Sequence, residues 1–184
     1  MRYKLDAPFY CGVGSRETPD NVLIQMEGIA RILKDMGYVL RSGHADGADK
    51  AFERGSQGVN QIWLPWKGFN YRDEENFPKE GHFHIQDNWV ADKLAQHYHP
   101  NWKSCSDGAK KLHTRNVYQV LGPGLGVVET EKISRFVICW TKDGKASGGT
   151  GQALRIAHGY ERPVFNLYNA DALDKLEKFL TNGT

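Results

Sequence analysis

Cysteine is scarce in this chain: Cys11, Cys105 and Cys139 are the three in 184 residues, far apart and without a CxxC pair. Their odd number and wide spacing argue against a disulfide framework and against a zinc site built on paired cysteines. Reduced thiols in a cytoplasmic protein are the expectation. An excess of charge of one sign is also lacking, with 24 Lys and Arg against 22 Asp and Glu and a net charge of +2. Composition therefore dictates no polyanionic partner, and any phosphate binding has to be local. No run approaches the ~18 apolar residues of a membrane span. The opening MRYKLDAPFY has no apolar core of a signal peptide, so no membrane partner is expected. Internal repeats and low-complexity tracts are absent. The length suits one domain over 1–184, able to bury a core without staples or metals.

What is present is an alternation of short apolar runs with helical periodicity. PFYCGVG reads as a strand, and after Thr18-Pro19-Asp20 come Val22, Met26, Ile29, Leu33 and Met36 at helical spacing. Pro19 suits the first turn of that helix and Gly37 its end. YVLRSG is a second strand, ADGADKAFERG a helix with Asp46 and Asp49 at its amino end, and QIWLPW a third strand closed by Pro65. This βαβαβ alternation implies a parallel sheet with right-handed crossovers. From 67 to 81 the pattern lapses into a polar loop studded with aromatics, and helices follow over 88–96 and roughly 107–120. Together they form an insertion over 65–121. RFVICW (135–140) is a fourth strand, then come a helix over 152–158, the strand PVFNL and a closing helix over 170–180. The predicted class is α/β: a Rossmann-like doubly wound parallel sheet of about five strands, order 3-2-1-4-5, with a helical insertion after strand 3.

In that order strands 1 and 4 lie side by side while their crossovers leave to opposite faces, which opens a crevice between them. Its predicted lips are GVGSRE (12–17) and ASGGTGQ (146–152). Glycines let backbone amides approach an anion, and a helix amino terminus adds oriented donors and a favourable dipole. Gly12, Gly14, Ser15 and Arg16 on one lip, with Ser147, Gly148, Gly149, Thr150 and Gly151 on the other, are the expected phosphate-facing residues. Either loop alone reads equally well as a bare turn; two at one switch point favour an anion.

The segments GVGSRETP, LRSGHADGADKAFERG, LHTRNVYQVLG and SGGTGQALRIAHGYERPVFNL, in this order, resemble the DprA/Smf (DNA-processing protein A) family within the wider SLOG superfamily of nucleotide-binding domains. The likeness leaves roughly 65–105 uncovered and is to stand-alone phage or prokaryotic DprA-like proteins more than to full-length DprA, whose accessory terminal domains are not expected here. It implies that Gly14, Ser15 and Arg16 form the first phosphate-facing loop. It also implies that SGHADGAD, with Ser42, Gly43, Asp46 and Asp49, forms a second block, and that Arg115-Asn116 lies near the anion. The related Lonely Guy (LOG) nucleoside-phosphate hydrolases carry GGxGTxxE, whose glutamate serves in glycosidic-bond cleavage. Here Gly148-Gly149-Thr150-Gly151 is followed by Gln152, Ala153, Leu154 and Arg155, which puts an arginine at the carboxylate position. A cation there opposes an oxocarbenium-like transition state. Asp46, Asp49, Glu129 or Glu131 could supply an acid instead.

Each of these residues also has a plainer role. Asp46 and Asp49 can hold ribose hydroxyls or simply cap a helix. Arg16 can clamp a phosphate or pair with Glu17; Arg115, a turn from Lys111 and beside His113, can edge the anion site or lie on a solvated face. His82-x-His84 and His97-x-His99 invite a metal, yet no Cys or carboxylate sits at a matching spacing, so neither a metal nor another cofactor is expected. No Ser-His-Asp or Cys-His constellation can be named. Trp63, Trp66, Phe69, Tyr71 and Phe77 can stack a base or cover the sheet edge. Three readings follow: a binding module for a nucleotide or nucleotide-derived ligand without turnover, which is preferred; a DprA-like single-stranded DNA binder using Arg16, Lys110, Lys111 and Arg115; and a nucleoside 5′-phosphate N-glycosidase. A homodimer through helices flanking the sheet is compatible with all three.

Overall fold

The computed structural model describes residues 3–71, 80–127 and 132–182. Strands β1 (Phe9–Gly12), β2 (Val39–Ser42), β3 (Asn60–Leu64), β4 (His82–His84), β5 (Val137–Cys139) and β6 (Val164–Asn166) form one sheet in the order β4-β3-β2-β1-β5-β6. Every neighbouring pair is parallel. The five predicted strands keep the order 3-2-1-4-5. The count of five is corrected to six by β4, which pairs with β3 in the register Ile62↔His82 and Leu64↔His84. A three-residue edge strand reading HFH has no apolar alternation to announce it, since its pairing rather than its side chains makes it a strand. The insertion over 65–121 is thus not purely helical.

Helices α1 (Asp20–Asp35), α2 (Ala48–Ser56) and α6 (Ala172–Asn182) cover one face; α3 (Trp89–His97), α4 (Asp107–Leu121) and α5 (Gly148–Gly159) cover the other. The period-2 alternation of the strands sorts the core. Tyr10, Leu40, Phe136 and Ile138 join Met26, Leu33, Phe52 and Leu176 on the first face, whereas Cys11, Val137 and Cys139 join Val117, Leu121, Leu154 and Ile156 on the second. In α1 the buried residues Val22, Met26, Ala30 and Leu33 form one stripe, Pro19 precedes the first turn, and the chain leaves through Gly37 at φ +88°. Helix α5 starts at Gly148 rather than near 152, so the glycine loop is itself the first helical turn.

Two helices meet closely at Gly55 of α2. A β-carbon there would lie 2.2 Å from the Glu27 carbonyl oxygen and 2.7 Å from Ala30 Cβ on α1. Gly55→Ala is therefore expected to destabilise the fold by about 1–3 kcal/mol, the usual range for overpacking. A urea midpoint equal to that of the parent would show that α1 and α2 are not seated this tightly.

Candidate functional site

Because all six strands are parallel, their carboxyl ends share one edge of the sheet, and the loops leaving that edge enclose a crevice of about 560 Å³. Gly14, Ser15, Arg16, Asp49, Arg115, Asn116, Ser147, Gly148, Gly149 and Thr150 line it. Five expected residues do not line it. Gly12 is a packing glycine whose β-carbon would lie 2.7 Å from the Phe52 ring. Ser42 is buried and donates its hydroxyl to the Gly12 carbonyl at 2.7 Å. Gly43 offers its carbonyl to Arg115, and Asp46 is an exposed partner of Lys50 at 2.7 Å. Gly151 presses against the Ala146 carbonyl carbon, 2.3 Å from where a β-carbon would stand.

The first lip is stitched to the sheet by Val13 N–H to Ile138 O (3.1 Å) and Ser15 N–H to Trp140 O (3.2 Å). Ser15 Oγ accepts the Glu17 amide at 3.0 Å, closing the loop on itself. Gly14 is required by close approach, since a β-carbon would lie 2.5 Å from Ala48 Cβ. Arg16 stands exposed at the mouth and forms none of the ion pairs found among the described residues. On the second lip the Ser147 side chain makes no capping hydrogen bond, and added β-carbons on Gly148 and Gly149 would meet nothing within 4 Å. The start of α5 thus borders the crevice without a side-chain cap on its first turn, an arrangement suited to an anion. Thr141 and Lys142 also line the crevice. Sequence reasoning missed them because they sit before the glycines, in a segment with no motif of its own.

At the floor lies a buried charge pair. Asp49 is 3 % exposed; burial raises its pKa above the ordinary 3.8, and the Arg115 charge and the backbone amides of Ala45 and Gly14 oppose the rise. Arg115 Nη1 lies 3.9 Å from Asp49 Oδ2 and donates to Gly43 O at 2.9 Å, while Nη2 donates to Asn116 Oδ1 at 3.2 Å. Asn116 Nδ2 in turn donates to Gly149 O (3.0 Å) and Gln152 Oε1 (2.9 Å), and Gln152 Nε2 to Ala95 O (3.0 Å). One polar chain therefore joins α4 to the second-block loop, α5 and α3. Arg115 is neither a solvated side chain nor a free clamp; it is the buried frame of the crevice.

Arg155, which stands at the carboxylate position of the LOG motif, points elsewhere: Nε donates to Tyr98 O (2.8 Å) and Nη1 to Ala146 O (3.1 Å). The carboxylates lining the crevice among the described residues are Glu17 and Asp49. Glu129 and Glu131 lie outside the described residues, as does Phe77. Of the other aromatics, Trp63 is buried and stacked on Tyr118, Phe69 is buried, and Tyr71 is hydrogen-bonded to His82. Trp66, 39 % exposed, borders a second hollow of about 670 Å³ with Lys67, Trp102, Lys110 and Lys111. No Cys or carboxylate sits at a matching sequence spacing to the paired histidines, but the fold brings two groups of donors together in space: His99 with Cys105 and His113, and His44 and His82 with Glu53.

No protein-family model matches the chain, and no curated protein matches it. Among solved structures, DNA processing protein A from Helicobacter pylori, described for its single-stranded DNA binding mode, superposes with a TM-score of 0.61 at 18% identity. The match covers 97% of this chain and 74% of that one. The chain has a DprA-like fold. At that identity the likeness extends to the fold alone. No helix among the described residues is long and apolar enough to cross a membrane.

Proposed function

We propose that the protein binds single-stranded DNA, seating the phosphate of one nucleotide unit in the crevice and leading the strand over α4 to the second hollow. The observation that carries this reading is the alignment of both hollows on one edge of the sheet. Helix α4 presents Ala109, Leu112, His113 and Asn116 to the crevice, and Lys110, Lys111 and Thr114 to the hollow beyond. Arg16, Lys142 and the uncapped α5 amides supply positive potential for the first phosphate; Lys110 and Lys111 supply it for the next, and Trp66 and Trp102 offer faces on which bases can stack. The likeness to a protein described for binding single-stranded DNA supports the same choice. Recognition of a nucleotide unit by glycine-rich loops also accords with the SLOG-type reading of the sequence.

The test is fluorescence anisotropy with a labelled oligothymidylate, competed by mononucleotides. With three or four phosphates neutralised, log K should fall against log salt with a slope of about −2 to −3. Arg16→Ala and the pair Lys110→Ala/Lys111→Ala should each weaken binding by about tenfold, a loss of ~1.4 kcal/mol, and flatten the slope. A second reading, a free nucleotide-derived ligand, draws on the crevice volume, which falls in the range of about 300–1,000 Å³ typical of small-molecule sites. A mononucleotide that binds as tightly as the oligomer, with the lysine pair immaterial, would select it.

A further inference from the structure

Behind the crevice wall, three donors of the kind that hold transition metals converge from separate segments. His99 follows α3, Cys105 follows the 3-10 turn Trp102–Ser104, and His113 lies on α4. One donor atom from each lies within 4.8 Å of the other two. Cys105 Sγ is 3.7 Å from His99 Nε2 and 3.8 Å from Nδ1, and the two imidazole centroids are 4.2 Å apart. Tetrahedral zinc with one sulfur and two nitrogen donors needs donor separations of about 3.3–3.6 Å, so small side-chain rotations close the set. We propose that His99, Cys105 and His113 form a binding site for a divalent transition metal of the zinc class, with a fourth position left to solvent.

Two further observations point the same way. His113 Nδ1 is buried without a hydrogen-bond partner, as an atom awaiting a ligand would be. Trp102 lies beside both rings, at centroid distances of 6.1 and 6.4 Å, and shields one side. The cluster of His44, Glu53 and His82 differs because its donors are already paired. Glu53 meets His44 Nδ1 at 2.7 Å and His82 Nε2 at 3.2 Å, and His82 Nδ1 meets the Tyr71 hydroxyl. In the first cluster the existing interactions are weak: the Asn101 amide donates to His99 Nδ1 at 3.2 Å, and Cys105 Sγ to Asn101 O at 3.6 Å. Metal binding exchanges these for coordinate bonds, and the Cys105 thiol proton passes to solvent. His113 also lines the crevice, so the ion would brace its wall. The site stands whether or not the crevice takes DNA.

The experiment is a Co²⁺ titration of the reduced protein at neutral pH. One equivalent should produce a thiolate-to-cobalt charge-transfer band in the near ultraviolet with intense tetrahedral d–d bands, and Zn²⁺ should bleach both. Cys105→Ser, a nearly isosteric change at a half-buried position, should abolish the charge-transfer band while far-ultraviolet circular dichroism stays unchanged. His99→Ala should weaken Co²⁺ binding by at least about tenfold. A charge-transfer band undiminished in Cys105→Ser, or weak octahedral bands alone, would overturn the assignment.

Discussion

Arg115→Ala should cost the fold about 3–5 kcal/mol, the range for breaking a buried ion pair on one side. The variant leaves Asp49 buried at 3 % exposure without its counter-charge, strips Gly43 O and Asn116 Oδ1 of their donors, and opens a cavity at the crevice floor. Arg115→Lys should recover only part of the loss, because an ammonium cannot reach both acceptors as the guanidinium fork does. The dependence on pH follows from the raised pKa of Asp49. A carboxyl whose folded pKa lies above its unfolded value favours folding when protonated; that contribution is complete below the unfolded value and is lost as pH rises through the folded one. Removing the Arg115 charge lifts the folded value further. The deficit of Arg115→Ala should therefore widen from acid toward neutral pH, and Asp49→Asn in the same chain should restore much of it. Urea denaturation of the single and double variants decides the matter; a single-variant loss under about 1 kcal/mol would mean that the pair is not buried as described.

The second large effect is expected at Glu53 of α2. Its carboxylate accepts from His44 on the loop after β2 and from His82 on edge strand β4, and His44 O accepts from Asn70 Nδ2 at 2.9 Å. Glu53→Leu removes the acceptor from two buried imidazoles and should cost about 3 kcal/mol, since each orphaned buried group costs roughly 1–3 kcal/mol. Burial would raise the Glu53 pKa, but the hydrogen bonds and charges of His44 and His82 override it and hold the carboxyl at about 2, below the ordinary 4.5. A depressed folded pKa means stability that is fully present above the unfolded value and lost as pH falls through the folded one. The stability gap between parent and Glu53→Leu should therefore be full at neutral pH and shrink between about 4.5 and 2. Guanidinium denaturation across that range would show it, and a constant gap would assign the bonds a merely steric role. Because His44 sits at φ +58° beside Gly43, the variant should also loosen the loop that receives Arg115.

Much of this architecture was legible in the sequence. The stripe Val22, Met26, Leu33 and the apolar runs of β1, β2, β3, β5 and β6 carried their own periods, and parallel-sheet chirality ordered those five strands. The glycine-rich lips were placed by the same logic, because in a doubly wound sheet the switch point is where loops diverge. Strand β4 was not legible, since three residues reading HFH become a strand only by pairing with Ile62, Trp63 and Leu64. The early start of α5 was missed because glycine is a poor helix former, and surrounding packing overrides that preference.

By itself, then, the sequence determined the fold class, the order of five strands and the edge of the sheet at which the two glycine-rich loops meet. These follow from local periodicity and chain handedness, which each segment carries independently of its distant neighbours. Tertiary structure alone decided which polar residues share a space. It turned Arg115 inward to Asp49 and Gly43, set Asp46 outside, tied Arg155 to Tyr98 and Ala146, and gathered His99, Cys105 and His113 into one cluster. The physical reason is that burial and charge pairing are properties of a position in three dimensions. An arginine on a helix reads alike on either face until the packing of α4 against the sheet removes one face from water.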